Sequence, residues 1–142
     1  MSKRYAIYTR AKLRKIKEAI KENDWFTAIV LSASELERFG SENIQDYLES
    51  KKVNPEFTNK ILESFYLRNI AECLFVLKII DEREKKKIMD INAHRNKFIH
   101  RRKKTKFPLG RKARETYEPL ANEALRILKE KLDVARLVIG RG

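Results

Sequence analysis

The fold class of this chain follows from residues 116–139, TYEPLANEALRILKEKLDVARLVI. The apolar residues of this stretch recur three or four positions apart: Tyr117, Leu120, Ala121, Ala124, Leu125, Leu128, Leu132, Ala135 and Ile139. Such spacing predicts an amphipathic helix, which we expect to end near Ile139 with Gly140 as its C-terminal cap. Because proline is unfavourable inside a helix, Pro119 leaves two possibilities for the start. Either the helix begins at Thr116, or a helix that begins near Arg111 is kinked at the proline.

The first third of the chain shows the same periodicity. Residues 5–22 are expected to form one helix. A second helix begins after Asp24, a favourable N-cap residue, and ends at Gly40, where a C-terminal cap is expected. Residues 42–50 then form a short helix. No segment alternates between apolar and polar residues in the way that a strand does.

The most apolar part of the chain runs from Asn54 to Ile80. Asn54 and Pro55 suit the cap and the first turn of a helix. Apolar residues lie all around the helical wheel of this segment, which predicts a central helix. Asp81 and Glu84 then have the spacing of a capping box, and they begin a helix that we place at about residues 82–102.

These helices predict one domain over residues 1–142, an all-α, up-and-down bundle of four or five helices. The chain carries 33 Lys and Arg against 20 Asp and Glu, a net charge of +13, which favours a polyanionic partner such as nucleic acid. The single cysteine, Cys73, excludes an internal disulfide framework and a cysteine-based zinc site. No apolar run is long enough for a secretory signal or a membrane span, so we expect a cytoplasmic protein with no membrane partner.

Residues 88–101, IMDINAHRNKFIHR, contain an anomaly in this pattern. On a helical wheel, Ile88, Ile91, Phe98 and Ile99 form a buried stripe. Arg95 falls in the middle of this stripe, and His94 falls on the solvent side. An unpaired buried guanidinium costs several kcal/mol. Arg95 must therefore meet a carboxylate, open into a cleft or face a second chain. The candidate carboxylates are Glu35, Glu37 and Glu72.

The spacing of three polar residues in this helix points to a symmetric site. Asn96 and His100 are four residues apart and share one face. Arg95 and His100 are five residues apart, which places them about 140° apart around the helix. One helix presents that pair poorly to a single small target. Two copies of the helix packed across a twofold axis would bring both pairs into one groove, so the spacing predicts a homodimer with a composite site.

Residues 95–100, RNKFIH, resemble the signature of the HEPN superfamily, an Arg followed by a polar residue and, after four intervening residues, a His. The all-helical chain, with this motif late on a long penultimate helix, extends the resemblance. It implies a bundle that dimerises along the motif helices and a metal-independent endoribonuclease without a cofactor, often the toxin of a toxin–antitoxin pair or a defence effector. It also implies that Arg95 and His100 are catalytic and that Asn96 is the adjacent polar residue. One branch has a Tyr two residues after the His, where this chain has Arg102, so nucleotide attachment at that tyrosine does not carry over.

Those three residues suit the cleavage of RNA without metal, in which the 2′-hydroxyl attacks the adjacent phosphate. The reaction needs a base, an acid and positive charge around the phosphoryl group. Histidine exchanges protons near neutral pH, so His100 suits the base, and the second His100 of a dimer would serve as the acid. Arg95 would hold the phosphate through two hydrogen bonds. Asn96 would orient His100 or contact the ribose.

A basic cluster follows the motif and consists of Arg101, Arg102, Lys103, Lys104, Lys106, Arg111 and Lys112. Beside the groove it would hold an RNA backbone and make binding strongly dependent on salt. The alternative is a solvated helix C-terminus, where the helix dipole favours cations. No aromatic stacking platform for single strands is evident, and Phe107, beside the cluster, is expected to pack within its loop.

Three functions remain open at this point. The first is a dimeric HEPN-like ribonuclease, whose partners are RNA, a second copy of the chain and a cognate antitoxin. The second is a non-catalytic module of the same fold that binds RNA or a nucleotide in the same groove. The third, a DNA-binding helical protein, is disfavoured because no short helix–turn–helix spacing with a central Gly is present. No His, Asp or Glu spacing resembles a metal site.

Overall fold

The computed structural model describes the backbone of residues 3–100 and 105–132, and the side chains of these residues from Arg10 onward. In these ranges the chain forms six α-helices: α1 (Lys3–Lys21), α2 (Trp25–Ser50), α3 (Pro55–Leu62), α4 (Leu67–Val76), α5 (Glu82–Ile99) and α6 (Gly110–Glu130). The described residues contain no strand, so the all-α prediction is confirmed, but there are six helices rather than four or five. None of the helices in these ranges combines the length and the apolar character that crossing a membrane requires.

The central helix is α2, which contacts α1, α3, α4, α5 and α6. Its buried side chains form the middle of the core: Ala28, Ile29, Ala33, Leu36, Phe39 and Ile44. The prediction of a central helix over residues 54–80 is wrong. That segment divides into α3 and α4, separated by a turn at residues 63–66, and Phe57 and Ile61 of α3 stay exposed. The apolar residues scatter around a single helical wheel because the segment contains two amphipathic helices, α3 and α4, whose apolar faces point in different directions.

Gly40 lies inside α2 and does not cap it, so the predicted separation into two helices is also wrong. The helix continues to Ser50, and Gly40 allows α4 to approach it closely. A Cβ atom at position 40 would lie 2.5 Å from Ile70 Cγ2 and 3.2 Å from Leu74 Cδ1. The glycine is thus explained by packing between helices that are 30 residues apart in sequence.

The N-terminal caps predicted from the sequence are confirmed. Asp24 accepts a hydrogen bond from the Thr27 N–H at 3.2 Å, and Asn54 accepts one from the Glu56 N–H at 2.9 Å. In the capping box of α5, the Asp81 carboxylate accepts from the Glu84 N–H at 2.8 Å, while the Glu84 carboxylate accepts from the Asp81 N–H at 2.9 Å. These side chains satisfy N–H groups that the first turn of a helix leaves without partners.

The end of α5 differs from the prediction, and the start of α6 decides between the two predicted alternatives. Helix α5 ends at Ile99, with His100 as its C-cap residue, and does not continue to residue 102. Helix α6 begins at Gly110 and contains Pro119, so a start at Thr116 is wrong. The predicted end near Ile139 and its cap at Gly140 lie outside the described residues.

A buried ion-pair network joins α5 to α6. The Glu84 side chain is only 2% exposed, and its carboxylate accepts a hydrogen bond from Arg126 Nη2 at 2.8 Å and lies 3.7 Å from Lys131 Nζ. Arg126 also donates to Glu123, and this hydrogen bond lowers the pKa of the Glu123 carboxyl. The backbone N–H of Glu84 likewise lowers the pKa of Asp81. For the Glu84 carboxylate, which is removed from water, the Arg126 guanidinium is the main compensating charge.

Replacement of Gly40 by alanine is expected to lower the melting temperature. Alanine normally gains up to about 1 kcal/mol over glycine inside a helix, but here its methyl group would press on the stiff, β-branched Ile70. Overpacking of this kind costs about 1–3 kcal/mol, so we expect Gly40→Ala to lose stability in chemical denaturation. Ala93→Gly, at an exposed position of α5, measures the propensity effect alone. A gain in stability for Gly40→Ala would contradict the close approach of α2 and α4.

Replacement of Arg126 by methionine should destabilise the protein much more than the same change at Arg111 in the same helix. Arg126→Met leaves the buried Glu84 carboxylate with the Asp81 N–H and the more distant Lys131 ammonium as its partners, and loss of one partner of a buried pair costs about 3 kcal/mol. The exposed pair between Arg111 and Glu115 should contribute less than about 0.5 kcal/mol. Denaturation curves of the two variants give the comparison directly, and equal losses would contradict it.

Candidate functional site

A groove between α4 and the C-terminal end of α5, which we call the motif groove, contains the motif residues. Its volume is about 780 Å³. Four lining residues belong to α4 or its cap and five to α5 or its cap: Tyr66, Arg68, Asn69 and Glu72, and Asn92, Arg95, Asn96, Ile99 and His100. The three residues that the sequence predicts to be catalytic therefore line one groove of a single chain.

Arg95 is largely buried, with 16% of its side chain exposed, and it has both a carboxylate and an amide partner. Its Nη1 donates to Glu37 Oε2 at 3.1 Å, and its Nη2 donates to Asn92 Oδ1 at 2.6 Å. The predicted meeting with a carboxylate is confirmed, and Glu37 is the partner among the three candidates. Arg95 also opens into a cleft, so the first two alternatives for this charge hold together.

The Nε atom of Arg95 is buried and has no hydrogen-bond partner among the described residues. The ion pair with Glu37 bridges α5 to α2 and separates the motif groove from a second groove. That second groove, of about 510 Å³, is lined by residues of α2, α3, α4 and α5, including Glu37, Arg38 and Leu62. Arg95 and Ile99 line both grooves, so the guanidinium lies in the wall between them.

His100 lines the motif groove from the C-cap position of α5. Its backbone N–H donates to the Asn96 carbonyl at 2.8 Å, and its ψ of 55° turns the chain out of the helical path. Arg95 and His100 nevertheless line the same groove, although a helix separates residues five apart by about 140°. A single chain presents both side chains to one groove, so the spacing argument no longer requires two copies. The homodimer stays a prediction.

Two apolar side chains on the groove are largely exposed. Ile99, predicted in the buried stripe, is 52% exposed because it is the last residue of α5. Tyr66 is 75% exposed, and its place beside the motif was not predictable from the sequence. The sequence does contain a signal for a helix start at Tyr66, because Asn69, three residues later, is able to accept a hydrogen bond from the Tyr66 backbone.

The basic cluster is only partly described, because Arg101, Arg102, Lys103 and Lys104 lie outside the described residues. Lys106 and Lys112 are exposed. Arg111 is exposed as well, and its Nε lies 3.0 Å from Glu115 Oε1. It lines a different pocket, together with Trp25 and Leu109, so the described part of the structure does not bring Arg111 to the motif groove.

His94 is half-buried, which corrects its predicted place on the solvent side. Its ring meets the Tyr117 ring nearly at right angles, with centroids 5.3 Å apart, and burial lowers the pKa of the His94 imidazole. The same cluster holds Phe98, which stacks parallel to Phe107 with centroids 5.1 Å apart. Phe107 therefore packs on a ring of α5, which corrects the expectation that it packs within its own loop.

Within residues 3–100 and 105–132, no three His, Cys, Asp or Glu side chains lie close enough together to hold a metal ion. Comparison with protein-family models, with curated proteins and with solved structures finds no match for this chain. The candidate site therefore rests on the geometry of its own residues.

The titration of His94 should show its burial. Because the pKa of the folded His94 lies below the ordinary value of 6.5, its neutral form is favoured by folding, and stability should decline as the pH falls below that value. NMR titration of the imidazole protons is expected to give a pKa under 6.5 in the folded protein and an ordinary one in concentrated urea. The His94→Gln variant assigns the resonance, and a folded pKa above 6.5 would contradict the packing against Tyr117.

Proposed function

We propose that this chain is a HEPN-like endoribonuclease that cleaves RNA at the motif groove without a metal ion. The observation that carries the proposal is the presence of Arg95, Asn96 and His100 on one groove of a strongly basic protein. A phosphate-binding cation, an amide and a proton-transfer group are the side chains that this chemistry needs. The role as toxin of a toxin–antitoxin pair or as defence effector, and the cognate antitoxin, rest on the family resemblance.

In the proposed reaction His100 removes the proton of the ribose 2′-hydroxyl. The 2′-oxygen then attacks the adjacent phosphorus, a 2′-O–P bond forms, the bond to the 5′-oxygen breaks, and a cyclic phosphate remains on the upstream fragment. The leaving 5′-oxygen takes a proton from an acid, for which the proposed homodimer supplies its second His100. General acid–base steps of this kind contribute about 10²–10⁴-fold each.

Arg95 is proposed to bind the phosphate that reacts. A guanidinium has five N–H donors, and two of these are used by Glu37 and Asn92. The two further Nη–H groups remain for phosphate oxygens, while the Nε–H is buried. Glu37 and Asn92 act as positioning residues, because they hold the guanidinium plane before the substrate arrives and so reduce the entropy lost on binding.

The proposed second copy of the chain would pack at the same groove. Tyr66 and Ile99 are exposed apolar side chains on the motif groove, and a homodimer that packs the ends of two α5 helices together would cover Ile99. Such a dimer would also bring the second His100 to the scissile bond. Exclusion of water from the groove would strengthen the attraction between Arg95 and the phosphate.

One observation favours the non-catalytic alternative, a module that binds RNA or a nucleotide in the motif groove. The Glu37 carboxylate already pairs with Arg95 at 3.1 Å, so the charge of the guanidinium is compensated without any substrate. A phosphate must then compete with Glu37 or use the remaining donors. Cleavage assays distinguish this module from the ribonuclease, because it would bind RNA and leave it intact.

Removal of the His100 imidazole should abolish RNA cleavage. We expect purified His100→Ala to cut labelled RNA at least about 100-fold more slowly than the unmodified protein, with chelator present throughout. Arg95→Lys, which keeps the charge and loses the planar fork, should also be slow. His94→Gln is the matched control, since it removes the other histidine and lies outside the groove. Unchanged cleavage by His100→Ala would refute the proposal, and RNA binding without cleavage by the unmodified protein would establish the module instead.

A further inference from the structure

Tyr66 is the most exposed aromatic side chain in the part of the chain that the structure describes. It is 75% exposed, although its ring could bury a large apolar area. The contacts between described aromatic rings connect Trp25, Phe26, Phe98, Phe107, Tyr117 and His94, and Tyr66 is absent from them. Packing of the described chain therefore gives no reason for the position of this ring.

The backbone that carries Tyr66 is nevertheless well fixed. Asn69 Oδ1 accepts a hydrogen bond from the Tyr66 N–H at 3.0 Å, and Tyr66 itself has the extended φ of −90° and ψ of 170° of a residue that precedes a helix. A ring held on a fixed backbone loses little entropy when a flat ligand stacks on it, since a tyrosine side chain has only two rotatable bonds. The structure thus presents an exposed π surface on a backbone that is held in place.

The surroundings of Tyr66 are polar and rich in hydrogen-bond donors. Asn69 and Asn92 line the same groove, and each uses its side-chain oxygen within the protein, for the Tyr66 N–H and for Arg95 Nη2. Within residues 3–100 and 105–132 their NH₂ groups make no hydrogen bond, so they are able to donate to a ligand. Amide donors beside an aromatic face suit the acceptor atoms at the edge of a nucleobase.

We propose that Tyr66 is a stacking platform for an unpaired base next to the phosphate held by Arg95, and that it makes the motif groove selective for single-stranded RNA. This inference rests on the proposed function, because it assigns the substrate class of the same site. A base inside an A-form duplex is already stacked on its neighbours and paired, so its face does not reach the ring. A base in a single strand or a loop is free to turn onto Tyr66.

Other exposed aromatic side chains lack this combination. Phe57 of α3 is also exposed, but it is not among the residues that line the motif groove. Tyr47 of α2 has the ammonium group of Lys51 over its ring, 5.7 Å from the centroid. Tyr66 alone among these three lies on a groove together with Arg95 and His100.

The test is the binding of a short labelled RNA of mixed sequence, either single-stranded or annealed to its complement, in chelator. All variants carry His100→Ala so that turnover does not disturb the measurement. Tyr66→Leu should weaken binding of the single strand about tenfold, the loss that removal of one stacked base typically causes, and should leave duplex binding unchanged. Tyr66→Phe should retain tight binding because it keeps the aromatic face. Phe57→Leu, the matched control, should bind both RNAs as the parent does.

Three results would overturn the inference: unchanged single-strand binding by Tyr66→Leu, an equal loss for single strand and duplex, or a loss that accompanies a change from dimer to monomer in sedimentation. The last result would mean that Tyr66 serves a contact between copies. The outcome is separate from that of the proposed function. Selective weakening by Tyr66→Leu supports the platform even where the unmodified protein cuts nothing, and cleavage that depends on His100 with no effect of Tyr66 removes the platform alone.

Discussion

The hydrogen bonds of Arg95 to Glu37 and Asn92 connect the architecture of this protein to its candidate site. A guanidinium with 16% of its side chain exposed must be compensated, and the compensation comes from α2, the helix around which the bundle packs. The same bond therefore holds α5 against the centre of the fold and aims the remaining N–H donors of Arg95. Because two packed helices hold the Arg95 guanidinium, its position in the candidate site does not depend on a loop.

Local features were predictable from sequence. Asp24, Asn54 and Asp81 begin helices because their side chains bond to N–H groups two or three residues away, so the whole interaction lies within one window. Features that depend on distant partners were not predictable. Glycine is the residue type expected at a helix C-cap, yet Gly40 serves instead to make room for Ile70 of α4. His94 lies on the polar side of its own wheel, and Tyr117 of α6 covers it.

The candidate site divides in the same way. A charge in an apolar stripe is visible from sequence, and so Arg95 was identified, but the choice of Glu37 over Glu35 and Glu72 follows from how α2 and α5 are rotated against each other. The position of His100 beside Arg95 in one groove depends on how α4 packs against the end of α5, which the sequence of α5 alone does not show. The exposure of Tyr66 was not predictable, because it depends on the absence of packing partners from other parts of the described fold.

The close approach at Gly40 has a consequence for how this sequence can change over time. The space beside position 40 is filled by Ile70 Cγ2 at 2.5 Å from where a Cβ would lie, so neither position is free to vary independently. A side chain at 40 becomes acceptable only when position 70 becomes smaller or loses its branch, and the reverse substitution follows the same rule. Related chains that depart from glycine at this site should therefore show paired replacements, and the pair provides a marker of common descent in a fold whose surface is free to diverge.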